Sequence, residues 1–379
     1  MVDFAPQPLP NWRRAVLKVG SSLLAGDGGL QATHARGLAD FIAAARTQGR
    51  EVVLVSSGAV AAGRGRIGTA AGNGIVQRQA LAALGQASLM GFWQQLFEAP
   101  VAQVLLTHDD LRNRRRYLNA RTALQELLRL GAQPIVNEND TVAVDELKLG
   151  DNDNLAAAVA SLVEADLLLI ATDIAGLYSG HPARDPHALP VERVESVTPR
   201  VLAMAGAAGE LGTGGMRTKL EAASKAAAAG VPTALFCGRD AATIAALGDG
   251  VLRGTLVAAQ GSRRSARKQW LGHAPASGVL RIDAGAQGAL LRGASLLPGG
   301  VLAVQGDFRR GDVVEVQSLD GVALARGQAQ YNAAESARIA GRHSREIETI
   351  LGFRYDESMI HRDDLVLLDG VDRPMEAKA

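Results

Sequence analysis

The sequence predicts an α/β protein with a mainly parallel sheet sandwiched by helices, followed by a small β-rich domain. Between residues 14 and 260, short apolar runs alternate with longer helical patterns. Strands that alternate with helices in this way form parallel sheets that are covered on both faces. After Gly261 the pattern changes to short alternating runs broken by glycine, which is typical of a small β domain.

The predicted elements can be read directly along the chain. The strands are RAVLKVG, EVVLV, VAQVLLT, AQPIVN, ADLLLIATD and PTALFCG. The main helices are ARGLADFIAAARTQG, IVQRQALAALGQASLMGFWQQLF, YLNARTALQELLRLG and MRTKLEAASKAAAAG. Because ligands of such sheets bind beyond the carboxyl ends of the strands, we expect the functional site there.

Length and composition predict several parts within the chain. A chain of 379 residues exceeds one ordinary core. We therefore predict a catalytic domain over residues 1–260, a basic linker over 261–276, a β-rich domain over 277–356 and an exposed tail over 357–379. The segment GSRRSARKQW in the linker contains no acidic residue and is interpreted as a solvated charge run rather than a nucleic-acid site.

Charge and cysteine content limit the partners and the compartment. The chain has 40 basic and 39 acidic residues, so no overall charge draws it to nucleic acid or to an anionic membrane. Its one cysteine, Cys237, excludes an internal disulfide and lies in the apolar run TALFC, where we expect a small core residue. No signal peptide and no apolar run of the ~20 residues needed to span a membrane is present. We expect a soluble, cytoplasmic protein.

One glycine motif, GRGRIG at residues 63–68, matches a dinucleotide-binding pattern in the wrong context. That pattern requires its glycines directly after a strand and at the start of a helix. The strand EVVLV ends at Val55, well before the motif. We therefore reject dinucleotide binding by this segment.

Two other glycine corners follow predicted strands directly. In LKVGSSLL a strand that carries Lys18 runs into Gly20, and in VLVSSGAVAAG a strand runs into Ser57 and Gly58. The backbone N–H groups of such turns can face an anion. A plain strand-to-helix turn also uses glycine, so both interpretations stay open for each corner.

A third glycine corner precedes a helix and favours phosphate binding. In ELGTGGMRTK, glycines lead into a helix whose first turn carries Arg217 and Lys219. Cations at this position oppose the helix dipole, which favours negative charge at the N-terminus by ~0.3–1 kcal/mol per residue. A polyphosphate bound at that terminus would reverse the sign of the interaction.

Acids and amides concentrate at two turns. The segment NEND ends a strand at Asp140, and GDNDN places Asp151, Asn152 and Asp153 at the start of a helix. Helix capping needs only one such residue. Amides supply donors as well as acceptors, which suits a zwitterion or a carboxylate better than a bare metal, and the spacing of a calcium-binding EF-hand is absent. With Lys18, Lys219 and the strand end at Thr172 and Asp173, this cluster predicts phosphoryl transfer.

These residues resemble the amino acid kinase family. The resemblance covers residues 13–260 and is carried by KVGSSLL, VSSGAVAAG, YLNAR, PIVNENDTVAV, GDNDNL, LLLIATDIAGLY and LGTGGMRTK. It is closest to the branch that phosphorylates the side-chain carboxylate of L-glutamate with ATP, the first step of proline biosynthesis. Ser56 stands where this branch is expected to have threonine, and it keeps the hydroxyl. The β-rich domain resembles a PUA domain.

The resemblance implies roles for the candidate residues. Lys18 and Lys219 would stabilise charge on the transferring phosphoryl group, and Asp151 and Asp153 would orient the lysines or Mg²⁺. Glutamate would be held by Ser57, Asp140 and Asn152, with Asp140 facing its ammonium group. ATP would be held by Lys18, Thr172, Asp173, Thr213, Gly214, Gly215, Met216, Arg217, Thr218 and Lys219.

The resemblance also implies partners, and it leaves alternatives. Proline would be a feedback inhibitor that overlaps the glutamate site, the chain would form a homo-oligomer, and glutamate phosphate reductase is a candidate partner. The alternatives are a kinase for another small carboxylate, such as acetylglutamate or aspartate, and an RNA-binding PUA protein with a non-catalytic kinase-like scaffold. Between Gly278 and Tyr355 the chain has nine arginines, no lysine and eight acids. This balance does not support RNA binding, so we favour a regulatory or assembly role.

Overall fold

The computed structural model divides the chain into two compact units. One contains residues 1–113 and 119–263, and the other contains residues 114–118 and 264–379. The structure describes residues 3–26, 29–67, 74–143, 152–180, 182, 185, 187–205, 215–261, 271 and 275–368. Within these residues, no helix combines the length and the apolar character needed to cross a membrane.

The first unit is built around a mainly parallel sheet, as the sequence predicts. Its strands are β1 (Gln7–Pro8), β2 (Arg14–Val19), β3 (Ala25–Gly26), β4 (Gly29–Leu30), β5 (Glu51–Ser56), β6 (Val101–Leu106), β7 (Gln133–Glu138), β8 (Leu167–Thr172), β9 (Arg193–Val194), β10 (Thr233–Cys237), β11 (Val251–Leu252) and β12 (Gly254–Val257). Eight of them form one sheet in the order β6-β7-β5-β2-β8-β10-β12-β9. All its pairings are parallel except that of β10 with β12.

Helices connect these strands. They are α1 (Ala35–Thr47), α2 (Ala59–Ile67), α3 (Ile75–Gln94), α4 (His108–Arg112), α5 (Arg114–Arg129), α6 (Asn152–Leu162), α7 (Pro199–Met204), α8 (Met216–Ala228) and α9 (Ala241–Gly248). The four helical patterns of the sequence correspond to α1, α3, α5 and α8. The aliphatic side chains of β2, β5 and β8 are buried on both faces of the sheet, which explains why these strands read as continuous apolar runs.

The first glycine of GRGRIG, Gly63, serves helix packing. Gly63 lies within α2, where a Cβ atom would come 2.0 Å from the carbonyl oxygen of Leu81 in α3. Gly85 of α3 has the reciprocal contact, since its Cβ would lie 1.9 Å from the carbonyl oxygen of Ala59. The two helices therefore approach more closely than any side chain would allow.

The register of the parallel strands brings the ends of β2, β5, β8 and β10 to one edge of the sheet. Val19 at the end of β2 pairs with Ser56 of β5 on one side and with Ala171 of β8 on the other. Cys237 at the end of β10 pairs with Thr172. Cys237 is only half-buried, so the prediction of a core cysteine is wrong: β10 carries it out of the core to this rim.

The second unit has a five-stranded sheet of its own. Its strands are β13 (Gly278–Ile282), β14 (Val301–Gly306), β15 (Val313–Gln317), β16 (Ala323–Gln328) and β17 (Leu365–Leu367), in the order β14-β13-β15-β16-β17. The helices are α10 (Ala284–Leu291), α11 (Ala333–Ile339) and α12 (Ile347–Leu351). Because β17 pairs with β16, the folded part extends beyond residue 356, where the sequence analysis places the start of an exposed tail.

Candidate active site

Two buried lysines from distant parts of the chain meet at one carboxylate. The ammonium group of Lys18, in β2, lies 2.6 Å from Oδ1 of Asp153. The ammonium group of Lys219, in α8, lies 3.3 Å from Oδ2 of the same residue. The side chains of the three residues are at most 9% exposed. Asp153 therefore holds two cations next to each other at the carboxyl edge of the sheet.

The position of Asp153 explains why its carboxylate stays ionised. It lies in the first turn of α6, where the helix dipole favours negative charge. Burial by itself would raise the pKa of Asp153, but Lys18, Lys219 and the hydroxyl of Thr218 together lower that pKa to about 2. The hydroxyl of Thr218 donates a hydrogen bond of 2.9 Å to Oδ2.

The pKa of Lys219 is lowered, because burial outweighs the effect of the neighbouring carboxylates. Burial lowers its pKa most strongly, and the neighbouring charge of Lys18 lowers it further, whereas Asp153 and Asp173 raise it. The first turn of α8 carries Lys219 inward, with Gly215 as the residue that caps the helix. The two ammonium groups thus tolerate each other because Asp153 lies between them.

A chain of neutral side chains lies at the same edge. Nδ2 of Asn152 donates to Oγ of Ser57 at 2.7 Å and to Oδ1 of Asn137 at 2.9 Å. Gly58 follows Ser57 with a φ angle of +115°, a conformation that favours glycine, and so turns the chain from β5 into α2. The N–H group of Ser57 also donates to the carbonyl oxygen of Val19, which ties this turn to the strand of Lys18.

The amide of Asn152 is oriented by these two bonds. Both bonds use its Nδ2 atom, so Oδ1 is the atom that remains for another partner. Oδ1 is buried and accepts no hydrogen bond from the residues that the structure describes. A buried acceptor left without a donor costs ~1–3 kcal/mol, and a bound ammonium or hydroxyl group would remove that cost.

Asp140 lies in the wall of a pocket of about 350 Å³. Other polar residues in the pocket wall are Gln86, Gln103 and Glu138. Burial raises the pKa of Asp140 to about 6, against an opposing effect of Arg78. The carboxylate is therefore ionised at neutral pH and available to a cationic group.

The predicted nucleotide side is only partly described. The hydroxyl of Thr172 donates to Oδ1 of Asp173 at 3.2 Å, at the end of β8. Met216 begins α8, and Arg217 lies on its exposed face, where it pairs with Glu221 at 3.0 Å. The predicted site residues Asp151, Thr213 and Gly214 lie outside the described residues.

The sequence analysis missed three side chains that organise the site. Asn137 links Asn152 to Gln86 of α3, whose Oε1 accepts a 3.0 Å hydrogen bond from Nδ2 of Asn137. Trp93 of the same helix donates through Nε1 to Oγ of Ser56 at 2.8 Å. The available signal was the seven-residue spacing of Gln86 and Trp93, which puts both on one face of α3.

A magnesium ion fits this edge only as a partner of phosphate groups. The described residues contain no cluster of three or more acidic, histidine or cysteine side chains that could enclose a metal. Mg²⁺ bound with a nucleotide usually takes one or two carboxylates and relies on phosphate oxygens and water for the rest. Asp173 is suitably placed at the strand end for such a role, whereas Asp153 is occupied by the lysines.

At the edge of the parallel sheet, one carboxylate contacts two buried lysines, an arrangement that suits an enzyme acting on phosphate groups. Comparison with known families agrees with this class of protein. The chain belongs to the amino acid kinase family, whose model matches residues 13–237. The PUA domain model matches residues 278–351, in the second unit.

Similar proteins extend over almost the whole chain. A glutamate 5-kinase of Xanthomonas euvesicatoria is 63% identical over 93% of this chain and 100% of its own length. A glutamate 5-kinase of Xanthomonas axonopodis is 62% identical with the same coverage. A glutamate 5-kinase of Xylella fastidiosa is 59% identical over 96% of this chain and 98% of its own length.

Proposed function

We propose that the protein transfers the γ-phosphoryl group of ATP to the side-chain carboxylate of L-glutamate, giving L-glutamate 5-phosphate and ADP in the first step of proline biosynthesis. The observation that carries this proposal is the cluster in which Asp153 holds Lys18 and Lys219 next to the neutral chain of Ser57 and Asn152. The names of the similar proteins support the choice of acceptor.

The chemistry requires stabilisation of charge rather than a general base. An oxygen of the glutamate side chain is already a carboxylate and forms the new bond to phosphorus. The bond from phosphorus to the β–γ bridging oxygen breaks, and ADP leaves with the electron pair. Lys18 and Lys219 stabilise the negative charge that spreads over the transferring group, and Asp153 keeps both in place.

Recognition of the two substrates is divided between the two sides of this cluster. Ser57, Asn152 and Asp140 hold glutamate, and the ionised carboxylate of Asp140 pairs with the α-ammonium group. ATP would be held by Thr172, Asp173 and the segment 213–219, and Mg²⁺ bound with it would neutralise phosphate charge. Proline shares the α-ammonium and α-carboxylate groups of glutamate, and it inhibits by occupying the same site.

A substrate panel tests the proposed function. The purified protein is given ATP, Mg²⁺ and one acceptor at a time (glutamate, aspartate or N-acetylglutamate), and acyl phosphate is trapped with hydroxylamine. We expect hydroxamate only, or by far the most, with glutamate. If aspartate or N-acetylglutamate gave more hydroxamate than glutamate, that compound would be the substrate instead. If none of the three acceptors gave a product, carboxylate phosphorylation would be refuted.

A further inference from the structure

Helix α3 holds the substrate-facing side chains from two points, two helical turns apart. At one point Gln86 accepts a hydrogen bond from Asn137, and at the other Trp93 donates one to Ser56. Ser56 also donates through its hydroxyl to the carbonyl oxygen of Ser57 at 2.9 Å. These bonds close a ring that leaves α3 and returns to it. We call it the side-chain ring; its members are Trp93, Ser56, Ser57, Asn152, Asn137 and Gln86.

The acceptor at Gln86 is one of two groups that fix the orientation of the Asn137 amide in the ring. Asn137 is 2% exposed; its Nδ2 donates a hydrogen bond to Gln86, and its Oδ1 accepts one from Asn152. If the acceptor were removed, only the hydrogen bond from Asn152 to Oδ1 would still hold the Asn137 amide in this orientation. A rotated Asn137 would present its own donor to the donor of Asn152 and would break the bond between them.

We propose that Gln86 is a positioning residue for binding of the carboxylate acceptor: through Asn137, it fixes the orientation of Asn152. In this orientation Asn152 keeps its bond to Ser57, and its buried Oδ1 is left to accept a hydrogen bond from the bound acceptor. The inference rests on the proposed role of Ser57 and Asn152 in holding glutamate. Gln86 itself transfers no proton and needs no contact with the reacting atoms.

Gln86 is the better residue to test, because Trp93 also has a packing role. Trp93 is fully buried and its ring stacks on Phe97 with centroids 5.9 Å apart. Gln86 is half-buried, and methionine has a similar length and volume without an acceptor oxygen. Gln79 provides a matched control for the same change, since it lies one heptad earlier on α3 and is also half-buried. Its side chain donates a 3.4 Å hydrogen bond to the carbonyl oxygen of Ala143, outside the ring.

The test measures KM for the acceptor, KM for ATP, kcat and the melting temperature. Gln86→Met should raise the KM for the acceptor about three- to tenfold, the effect of one lost hydrogen bond, and should leave the KM for ATP and kcat within about twofold. Gln86→Glu, which keeps an acceptor oxygen, should restore most of the loss. Gln79→Met should remain within about twofold of the wild type.

A double-mutant cycle shows whether Gln86 acts through Asn137. In an Asn137→Ala background, Gln86→Met should add less than about a twofold change in KM, because the residue it orients is gone. An unchanged KM in Gln86→Met, an equal rise in both KM values with a lower melting temperature, or full additivity with Asn137→Ala would each overturn the inference. All assays use the acceptor that the wild-type protein phosphorylates best, so rejection of glutamate by the wild type refutes the proposed function alone.

Discussion

Charged groups form one end of the candidate site, and neutral groups form the other. Lys18, Asp153 and Lys219 are buried ions whose attraction depends on geometry and on the low dielectric around them. Ser57 and Asn152 are uncharged, and their interaction depends on the direction of the hydrogen bond between them. We propose a division of labour: the ionic end stabilises charge that appears during transfer, and the neutral end, together with the carboxylate of Asp140, selects and orients the acceptor.

The two ends of the site also differ in how their side chains are held in position. The ionic end depends on a single carboxylate, because Asp153 contacts both lysines. The neutral end is part of a ring that is anchored on α3 at Gln86 and at Trp93. Loss of one residue should therefore disrupt the arrangement of the ionic end strongly and that of the neutral end only in part.

The largest effect is expected for Asp153→Ala, which leaves two buried lysines without their shared partner. The free energy of unfolding should fall by about 3–5 kcal/mol, as for other buried pairs that lose one member. The surface pair of Arg217 and Glu221 is the control, and Glu221→Ala should cost less than about 0.5 kcal/mol. Urea unfolding of both variants measures the difference; similar small losses would show that the buried cluster does not stabilise the fold.

Lys219→Ala should have the next largest effect, and it should act on the reaction rate. Removal of one group that stabilises transition-state charge lowers kcat by about 10²–10³. The KM for glutamate should change little, because the acceptor is held at the neutral end. Steady-state assays with hydroxylamine trapping measure both constants, and a near-normal kcat would remove Lys219 from the reaction.

Asp140 should control how glutamate binding depends on pH. Its pKa is raised to about 6, so below this pH it becomes neutral and loses its attraction for the α-ammonium group. The kcat/KM for glutamate should therefore fall as pH drops through 6, approaching about tenfold per pH unit. Asp140→Asn should lower kcat/KM at pH 8 by about 10- to 100-fold, the range for a hydrogen bond to a charged group, and should abolish this pH dependence.

Proline provides a second measurement on the same variant. Inhibition by proline should weaken together with glutamate binding in Asp140→Asn, because both ligands carry the same α-groups. If glutamate binding weakened while proline inhibition stayed intact, the two ligands would occupy different sites.

Removal of residues 261–379 should have the smallest effect on catalysis. Gln260 is hydrogen-bonded to Ala227 and to Ser196 of the first unit, so a chain that ends there keeps these contacts. We expect this truncated protein to fold and to phosphorylate glutamate within a few-fold of the full chain. A folded but inactive product would show that the second unit completes the catalytic domain. Salt-sensitive RNA binding by residues 270–360, together with an inactive full-length chain, would instead favour the RNA-binding alternative.

The sequence placed Lys18 and Lys219 at one edge of the sheet, but it did not predict the hydrogen bonds that surround Ser57 and Asn152, for a physical reason. Strand and helix periodicity placed Lys18 and Lys219 at strand and helix ends, and parallel strands bring such ends to one edge. The side-chain ring depends on hydrogen-bond directions between β5, β7, α3 and α6, which no local pattern contains. In the sequence, Gln86 therefore resembles any other polar residue of a long helix. The hydrogen bonds that join Gln86 to Asn152 through Asn137 are visible only in the structure.

The most direct test of the divided site is a side-by-side measurement of kcat and KM for Lys219→Ala and Asn152→Ala with glutamate as the varied substrate. We expect Lys219→Ala to lose kcat with little change in KM. We expect Asn152→Ala to raise the KM for glutamate about tenfold, the effect of lost hydrogen bonds to the acceptor, with kcat within a few-fold of wild type. Loss of the same kinetic constant in both variants would contradict the division between an ionic end for transfer and a neutral end for recognition.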